Sequence, residues 1–119
     1  MPVIAIVSQK GGSGKTTLAL NIATCAGHHG RQSCVIDLDP QATAAAWGDW
    51  RGGGSPDVLT CPPVRLARTI QSAARDGAGL VVIDPPPHGE AAAREAVRAA
   101  DLVLVPTRPR AFDLHAVEA

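Results

Sequence analysis

Short apolar runs alternate along this chain with longer segments in which apolar residues recur every three or four positions, and that alternation lays out its elements. Val3 to Val7, Ser33 to Leu38 and Leu80 to Asp84 are almost continuously apolar, the pattern of strands buried on both faces of a parallel sheet. Asp101 to Val105 repeats it. Asp57 to Cys61 is a shorter and more polar version, expected near an edge and closed by Pro62 and Pro63. Between these runs Leu18, Ile22 and Ala26 are spaced for a helix from Lys15 to about His29, with Ala19 and Ala23 small enough for close packing on a sheet. Gly30 is placed as a left-handed stop for it. Leu66, Ile70 and Ala73 or Ala74 predict an amphipathic helix over Val64 to Arg75, with Arg65, Arg68 and Arg75 mostly outward. Glu90 to Ala99 predicts an Ala-rich helix in which Glu90 and Arg94 are spaced as an i,i+4 pair. Ala42 to Trp50 predicts a short helix carrying Trp47 and Trp50 on one face as a packing patch, Arg51 to Pro56 a surface turn, and another helix begins near Phe112.

Strands alternating with helices point to an α/β layered fold, and 119 residues make one domain or part of one. Charge narrows the partners. Lys plus Arg equals Asp plus Glu at 11 each, so no global field draws the chain to nucleic acid or to an anionic membrane, and such a partner requires a local patch. Cys25, Cys34 and Cys61 are odd in number and lack C-x-x-C spacing, which argues against a zinc site or a disulfide framework and leaves them as small core or near-surface fillers. No charged segment precedes an apolar leader, and no apolar run nears the roughly 20 residues needed to cross a bilayer, so a cytoplasmic protein is expected.

Candidate chemistry gathers at the ends of the apolar runs. The segment Lys10-Gly11-Gly12-Ser13-Gly14-Lys15-Thr16-Thr17 joins the first strand to the first helix. Gly11, Gly12 and Gly14 lack Cβ atoms, so the loop can take positive φ and bring successive backbone N–H groups around a polyphosphate. Lys15 is placed to reach the β and γ oxygens and Thr16 to hold magnesium through its hydroxyl, while the helix N-terminus adds partial positive charge. The strict pattern G-x-x-x-x-G-K-[ST] is not met, because Gln9 stands five before Gly14; a second lysine, Lys10, opens the loop instead.

The second strand ends in Asp37-Leu38-Asp39-Pro40-Gln41, and carboxylates at the carboxyl end of a parallel strand lie on the rim where open α/β folds bind ligands. Two aspartates two residues apart on an extended chain point the same way, so both face that rim if strand geometry persists to Asp39. Asp84, at the end of Leu80-Val81-Val82-Ile83, reads as a Walker B aspartate, which orients magnesium or its water. Pro85-Pro86-Pro87 has no N–H donors, so any amide from this loop that meets a γ-phosphate belongs to His88 or Gly89.

Taken together, Lys10 to Thr17, Asp37 to Gln41, Ile83-Asp84-Pro85-Pro86 and Asp101 to Pro106 resemble the ParA family of partition ATPases, within the ParA/MinD group of deviant Walker A P-loop ATPases that the second lysine distinguishes. The resemblance covers essentially the whole chain and is closest to small members without an N-terminal DNA-binding extension. It implies an α/β, three-layer P-loop NTPase fold with a mostly parallel sheet flanked by helices, of which residues 1–119 are a single domain's N-terminal portion, incomplete at the C-terminal end. It implies ATP and Mg2+ as ligands, with Gly11, Gly12, Ser13, Gly14, Lys15, Thr16 and Thr17 on the phosphates and Thr16, Asp37 and Asp84 around the magnesium. It implies that Lys10 reaches across a face-to-face homodimer to the partner's nucleotide, that Asp39 positions the attacking water, and that hydrolysis then dissolves the dimer. In such proteins the ATP dimer binds non-specific DNA and a ParB-like protein stimulates hydrolysis, so that a plasmid or chromosome is partitioned or positioned; a nucleoid-associated cytoplasmic protein with no membrane partner is implied. This chain departs from the family in ending before the segments that supply adenine contacts and much of the basic surface, and in carrying Pro85 where Thr, Gly or Ala is usual.

The competing readings are a metabolic or carrier protein on the same scaffold, a MinD-like positioning ATPase, or a hydrolytically inert fragment. An iron–sulfur carrier like the nitrogenase iron protein needs cysteines at the dimer seam, which Cys25, Cys34 and Cys61 do not supply. A ligase like dethiobiotin synthetase has no need of Asp39-Pro40-Gln41.

Overall fold

The computed structural model describes residues 1–7, 15–39, 56–86 and 89–106, with Lys15 by its backbone alone. The helix expected over 42–50, the turn at 51–55 and the helix expected from Phe112 lie outside the described residues. Five strands form one parallel sheet: β1 (Val3–Ile6), β2 (Ser33–Asp37), β3 (Asp57–Thr60), β4 (Leu80–Asp84) and β5 (Leu102–Leu104), in the order β3-β2-β4-β1-β5. Among the described residues three helices flank it: α1 (Lys15–His28), α2 (Leu66–Arg75) and α3 (Glu90–Ala99). The expected three-layer α/β arrangement is therefore present, and every strand pair is parallel.

Alternation along the strands divides the core in two. Val3, Ala5, Cys34, Ile36, Val81 and Ile83 face Leu66 and Ala73 of α2 and Ala92 and Ala96 of α3. Ile6, Val35, Leu80 and Val82 face Ala19, Leu20 and Ala23 of α1. Each of the wholly enclosed Ile6, Ile36 and Ile83 contributes roughly 1.5–3 kcal/mol by burial. On α1 the alanines make the central contact and Leu18, Ile22 and Ala26 pack at its flanks, because small side chains let the helix lie close to the sheet.

The ends of the elements show what sequence periodicity leaves open. Gly30 has φ +78°, and the bonds Arg31 N–H to Ala26 O (2.9 Å) and Gly30 N–H to Gly27 O (3.1 Å) close α1 in a Schellman motif, as its glycine predicted. Gly77, φ +95°, closes α2 identically, with Ala78 N–H on Ala73 O at 3.0 Å and Gly77 N–H on Ala74 O at 3.1 Å. The helix expected from Val64 begins at Leu66. Pro62 and Pro63 instead start a single 3-10 turn over Pro63–Arg65, and Arg65 (φ −103°, ψ 4°) leaves helical geometry between the two. The ion pair on α3 is Glu95 with Arg98 at 3.3 Å rather than the expected Glu90 with Arg94.

Asp101, expected as the first residue of the last strand, lies in a bend before β5 and fastens it to β1. Its carboxylate accepts the Val3 N–H at 2.9 Å while its own N–H donates to Val3 O at 2.7 Å. Ser33, buried at the start of β2, donates its hydroxyl to Ala23 O of α1 at 2.7 Å, which fixes the height of the helix on the sheet. Of the cysteines, Cys34 is buried, Cys61 packs half-buried against the core and Cys25 is exposed. Burial, with Asp57 and Asp76 adding negative charge nearby, pushes the Cys34 thiol up to about 12.

Candidate functional site

The sheet order places β4 directly beside β1, so the end of β4 meets the beginning of α1. Two-residue periodicity then decides which way the terminal aspartates point. Leu80 and Val82 face α1, so Asp84 does too; Val35 faces α1, so Asp37 does too. Asp37 and Asp84 are register partners at the carboxyl ends of β2 and β4, each about 1% exposed. The Thr16 hydroxyl, in the first turn of α1, donates to Asp84 Oδ2 at 2.8 Å. Three residues expected around a magnesium ion are thus gathered on one side of the sheet at one rim.

The ladder of β2 ends at Asp37, and the Leu38 N–H still donates to Asp84 O at 3.0 Å. Asp37 Oδ1 accepts the Asp39 N–H at 2.9 Å, an Asx-type bond in which a short carboxylate takes the amide two residues on. Asp39 is half-buried beyond the turn.

Lys10, Gly11, Gly12, Ser13 and Gly14 lie outside the described residues, as does the Lys15 side chain. The backbone of Lys15 opens α1, as expected for a helix that begins at the end of a phosphate loop, and Thr17 is exposed in the same turn. That first turn contains no acidic residue, so its unpaired N–H groups face no competing carboxylate of their own helix. After β4, Pro85 is buried and the Gly89 N–H donates to Pro86 O at 3.3 Å. Of the two amides expected to meet a γ-phosphate, the one at Gly89 is therefore engaged in its own turn, and His88 lies outside the described residues. A Cβ on Gly89 would sit 2.6 Å from Pro86 Cγ, so only glycine fits against that ring.

Two carboxylates side by side and out of water need donors or a cation against their mutual repulsion. Donors are present: every buried side-chain nitrogen and oxygen among the described residues has a hydrogen-bond partner. The donor set is all oxygen, which suits Mg2+ rather than a soft metal. Among the described residues no three His, Cys, Asp or Glu side chains form a metal cage. Among the described residues no helix is long and apolar enough to cross a membrane.

The CobQ/CobB/MinD/ParA nucleotide-binding domain family matches residues 4–103. The chain is 33% identical over 117 residues to Protein ParA of Rhizobium radiobacter, covering 95% of this chain and 51% of that protein. It spans about half the length of the curated relatives it matches. Among solved structures, pNOB8 ParA bound to nonspecific DNA is similar with a TM-score of 0.72 at 21% identity, over 98% of this chain and 57% of the other. The septum site-determining protein MinD of Pyrococcus horikoshii, complexed with Mg-ADP, is similar with a TM-score of 0.70 at 21% identity, over 96% and 60%. With an aspartate pair and a helix-borne threonine converging at the strand ends, and a family match across most of its length, the chain belongs to the CobQ/CobB/MinD/ParA nucleotide-binding domain family.

Proposed function

We propose that this chain is the nucleotide-binding part of an ATP-driven dimerisation switch of the partition type, hydrolysing ATP with magnesium. The observation that carries this is the bond from Thr16 to Asp84 beside the register partner Asp37, a buried oxygen cluster under the N-terminus of α1. In this reading Gly11, Gly12, Ser13, Gly14, Lys15, Thr16 and Thr17 hold the phosphates. Thr16 and Asp84 would hold the cation, with Asp37 one strand further out in the sheet. Magnesium, when bound, would supply neutralisation of phosphate charge.

The remaining roles belong to the chain's own groups. Lys15 neutralises the β and γ oxygens from within the subunit and Lys10 does so from the twin subunit, so that two copies close over their nucleotides. Asp39 orients the attacking water. Loss of the γ-phosphate removes the bridge that Lys10 needs, and the homodimer parts. In the full-length protein the ATP dimer takes non-specific DNA as its track and a ParB-like partner stimulates turnover. The family relationship and the ParA neighbour bound to nonspecific DNA support this part.

Calorimetric titration with ATP, with and without Mg2+, tests the proposal. Saturable binding that strengthens with Mg2+ and is followed by phosphate release is expected; ATP binding indifferent to Mg2+ overturns it.

A further inference from the structure

We infer that Asp37 is a positioning residue for Asp39, holding the chain after β2 in an Asx turn, rather than a ligand of the magnesium ion. The inference rests on the hydrolase reading above. Three observations converge on it. Asp37 Oδ1 accepts the Asp39 N–H at 2.9 Å, just past the last residue of β2. The strand order β2-β4-β1 leaves Asp37 one strand, roughly 4.8 Å, further from the β1–α1 junction than Asp84, and the Thr16 hydroxyl is bonded to Asp84. Asp37 is about 1% exposed, so its bond to the Asp39 amide is sheltered from competing water.

Asp39 is held from its other side as well, because it precedes Pro40, and a residue before proline is disfavoured in the helical region. The two restraints leave the Asp39 backbone little freedom at the place where a water-orienting carboxylate has to stand. The pattern Asp-x-Asp-Pro is then a device of two parts. The first aspartate holds the backbone amide of the second, and the second meets the water.

Asparagine and alanine separate this role from metal ligation. Asn keeps a side-chain oxygen that forms the same Asx turn but lacks the charge that a magnesium ligand supplies, whereas Ala lacks both. In the 119-residue chain, amide exchange at Asp39 read by NMR should remain as slow in Asp37→Asn as in wild type and accelerate at least about tenfold in Asp37→Ala. Asp37→Asn should keep its Mg2+-dependent ATP affinity within about threefold, and Asp37→Ala should lose at least about tenfold in kcat with KM within about threefold. Loss of Mg2+-dependent affinity in Asp37→Asn as severe as in Asp37→Ala would make Asp37 a ligand and overturn the inference. So would unchanged Asp39 exchange in a folded Asp37→Ala. A wild-type chain that binds ATP without releasing phosphate counts against the hydrolase reading instead, and the exchange comparison still decides whether Asp37 holds Asp39.

Discussion

Thr16 and Asp84 stand 68 positions apart in sequence and 2.8 Å apart in space, the hydroxyl of one donating to the carboxylate of the other. The bond joins the first turn of α1 to the last residue of β4, the strand beside β1. A threonine there holds the Asp84 carboxylate in place, and under the proposed function it would also offer a hydroxyl oxygen to a cation. Thr16→Ala removes both, and should lower Mg2+-dependent ATP affinity by at least about tenfold while costing about 1 kcal/mol of stability. Thr16→Ser keeps the hydroxyl and should restore most of the affinity. The measurement is ATP affinity across a Mg2+ titration, paired with urea unfolding; equal affinity in Thr16→Ala and wild type at every Mg2+ concentration would remove Thr16 from the site.

The two lysines have separable expected outcomes. Lys15→Ala should abolish ATP binding if, as proposed, Lys15 is the intrasubunit cation for the β and γ oxygens. Lys10→Ala should leave ATP binding largely intact but abolish ATP-dependent dimerisation and turnover. Analytical ultracentrifugation with a non-hydrolysable ATP analogue, alongside a fluorescent-nucleotide titration, checks both. Equal loss of binding in the two variants would reduce Lys10 to a local phosphate contact.

Much of this arrangement was legible in the residues themselves. Buried parallel strands announce themselves as apolar runs, and the aspartates ending two of those runs were readable as a rim of carboxylates because strand periodicity is strict. The pairing of Asp37 with Asp84 was not readable, since strand order is settled by long-range packing that periodicity does not encode. The bond from the Asp39 amide to Asp37 was within reach, because a short carboxylate two residues before an amide at a strand end is an Asx-turn signal. Asp101 is a similar case: its carboxylate caps the Val3 amide and its residue ends outside β5. The early 3-10 turn at Pro63 follows from local proline geometry, and the pair on α3, Glu95 with Arg98, has the i,i+3 spacing that the sequence offers alongside the i,i+4 spacing of Glu90 and Arg94.

Gly30 and Gly89 are constrained for different reasons, and their alanine variants should fail differently. Gly30 has φ +78° with nothing within 4 Å of where a Cβ would stand, so Gly30→Ala meets backbone strain alone, about 1–2 kcal/mol. Gly30→Asn, which tolerates that conformation, should recover part of it. The site stands at the opposite end of α1 from Thr16, and ATP affinity should be unchanged in both. Gly89 has room in its dihedrals but not in space, because the Pro86 ring lies 2.6 Å from where its Cβ would go. Gly89→Ala must move either the start of α3 or the segment following Asp84, and phosphate release should fall at least about threefold with ATP affinity retained. Matched unfolding and turnover assays decide this, and turnover lost in Gly30→Ala but kept in Gly89→Ala would reverse the assignment.

Cys34 should give stability a pH dependence in the alkaline range. Its thiol is pushed up from 9.0 to about 12 in the folded chain, first by burial and then by Asp57 and Asp76. Between those values the unfolded chain releases the Cys34 proton and the folded chain retains it, so the unfolded state binds fewer protons and stability falls as pH rises. The contribution is fully present below pH 9 and is lost by about 1.4 kcal/mol per pH unit above it, until the folded thiol itself ionises. Cys34→Ala removes this slope along with some packing. The difference in urea midpoint between wild type and variant should therefore be constant from about pH 7 to about pH 8.5 and shrink steadily toward about pH 10.5. Thiol labelling supplies the second reading: exposed Cys25 should react in the native chain and buried Cys34 only on unfolding. A difference in midpoint that holds constant across that whole range would mean that the folded thiol ionises as readily as the unfolded one, and that neither burial nor the flanking aspartates protect its proton.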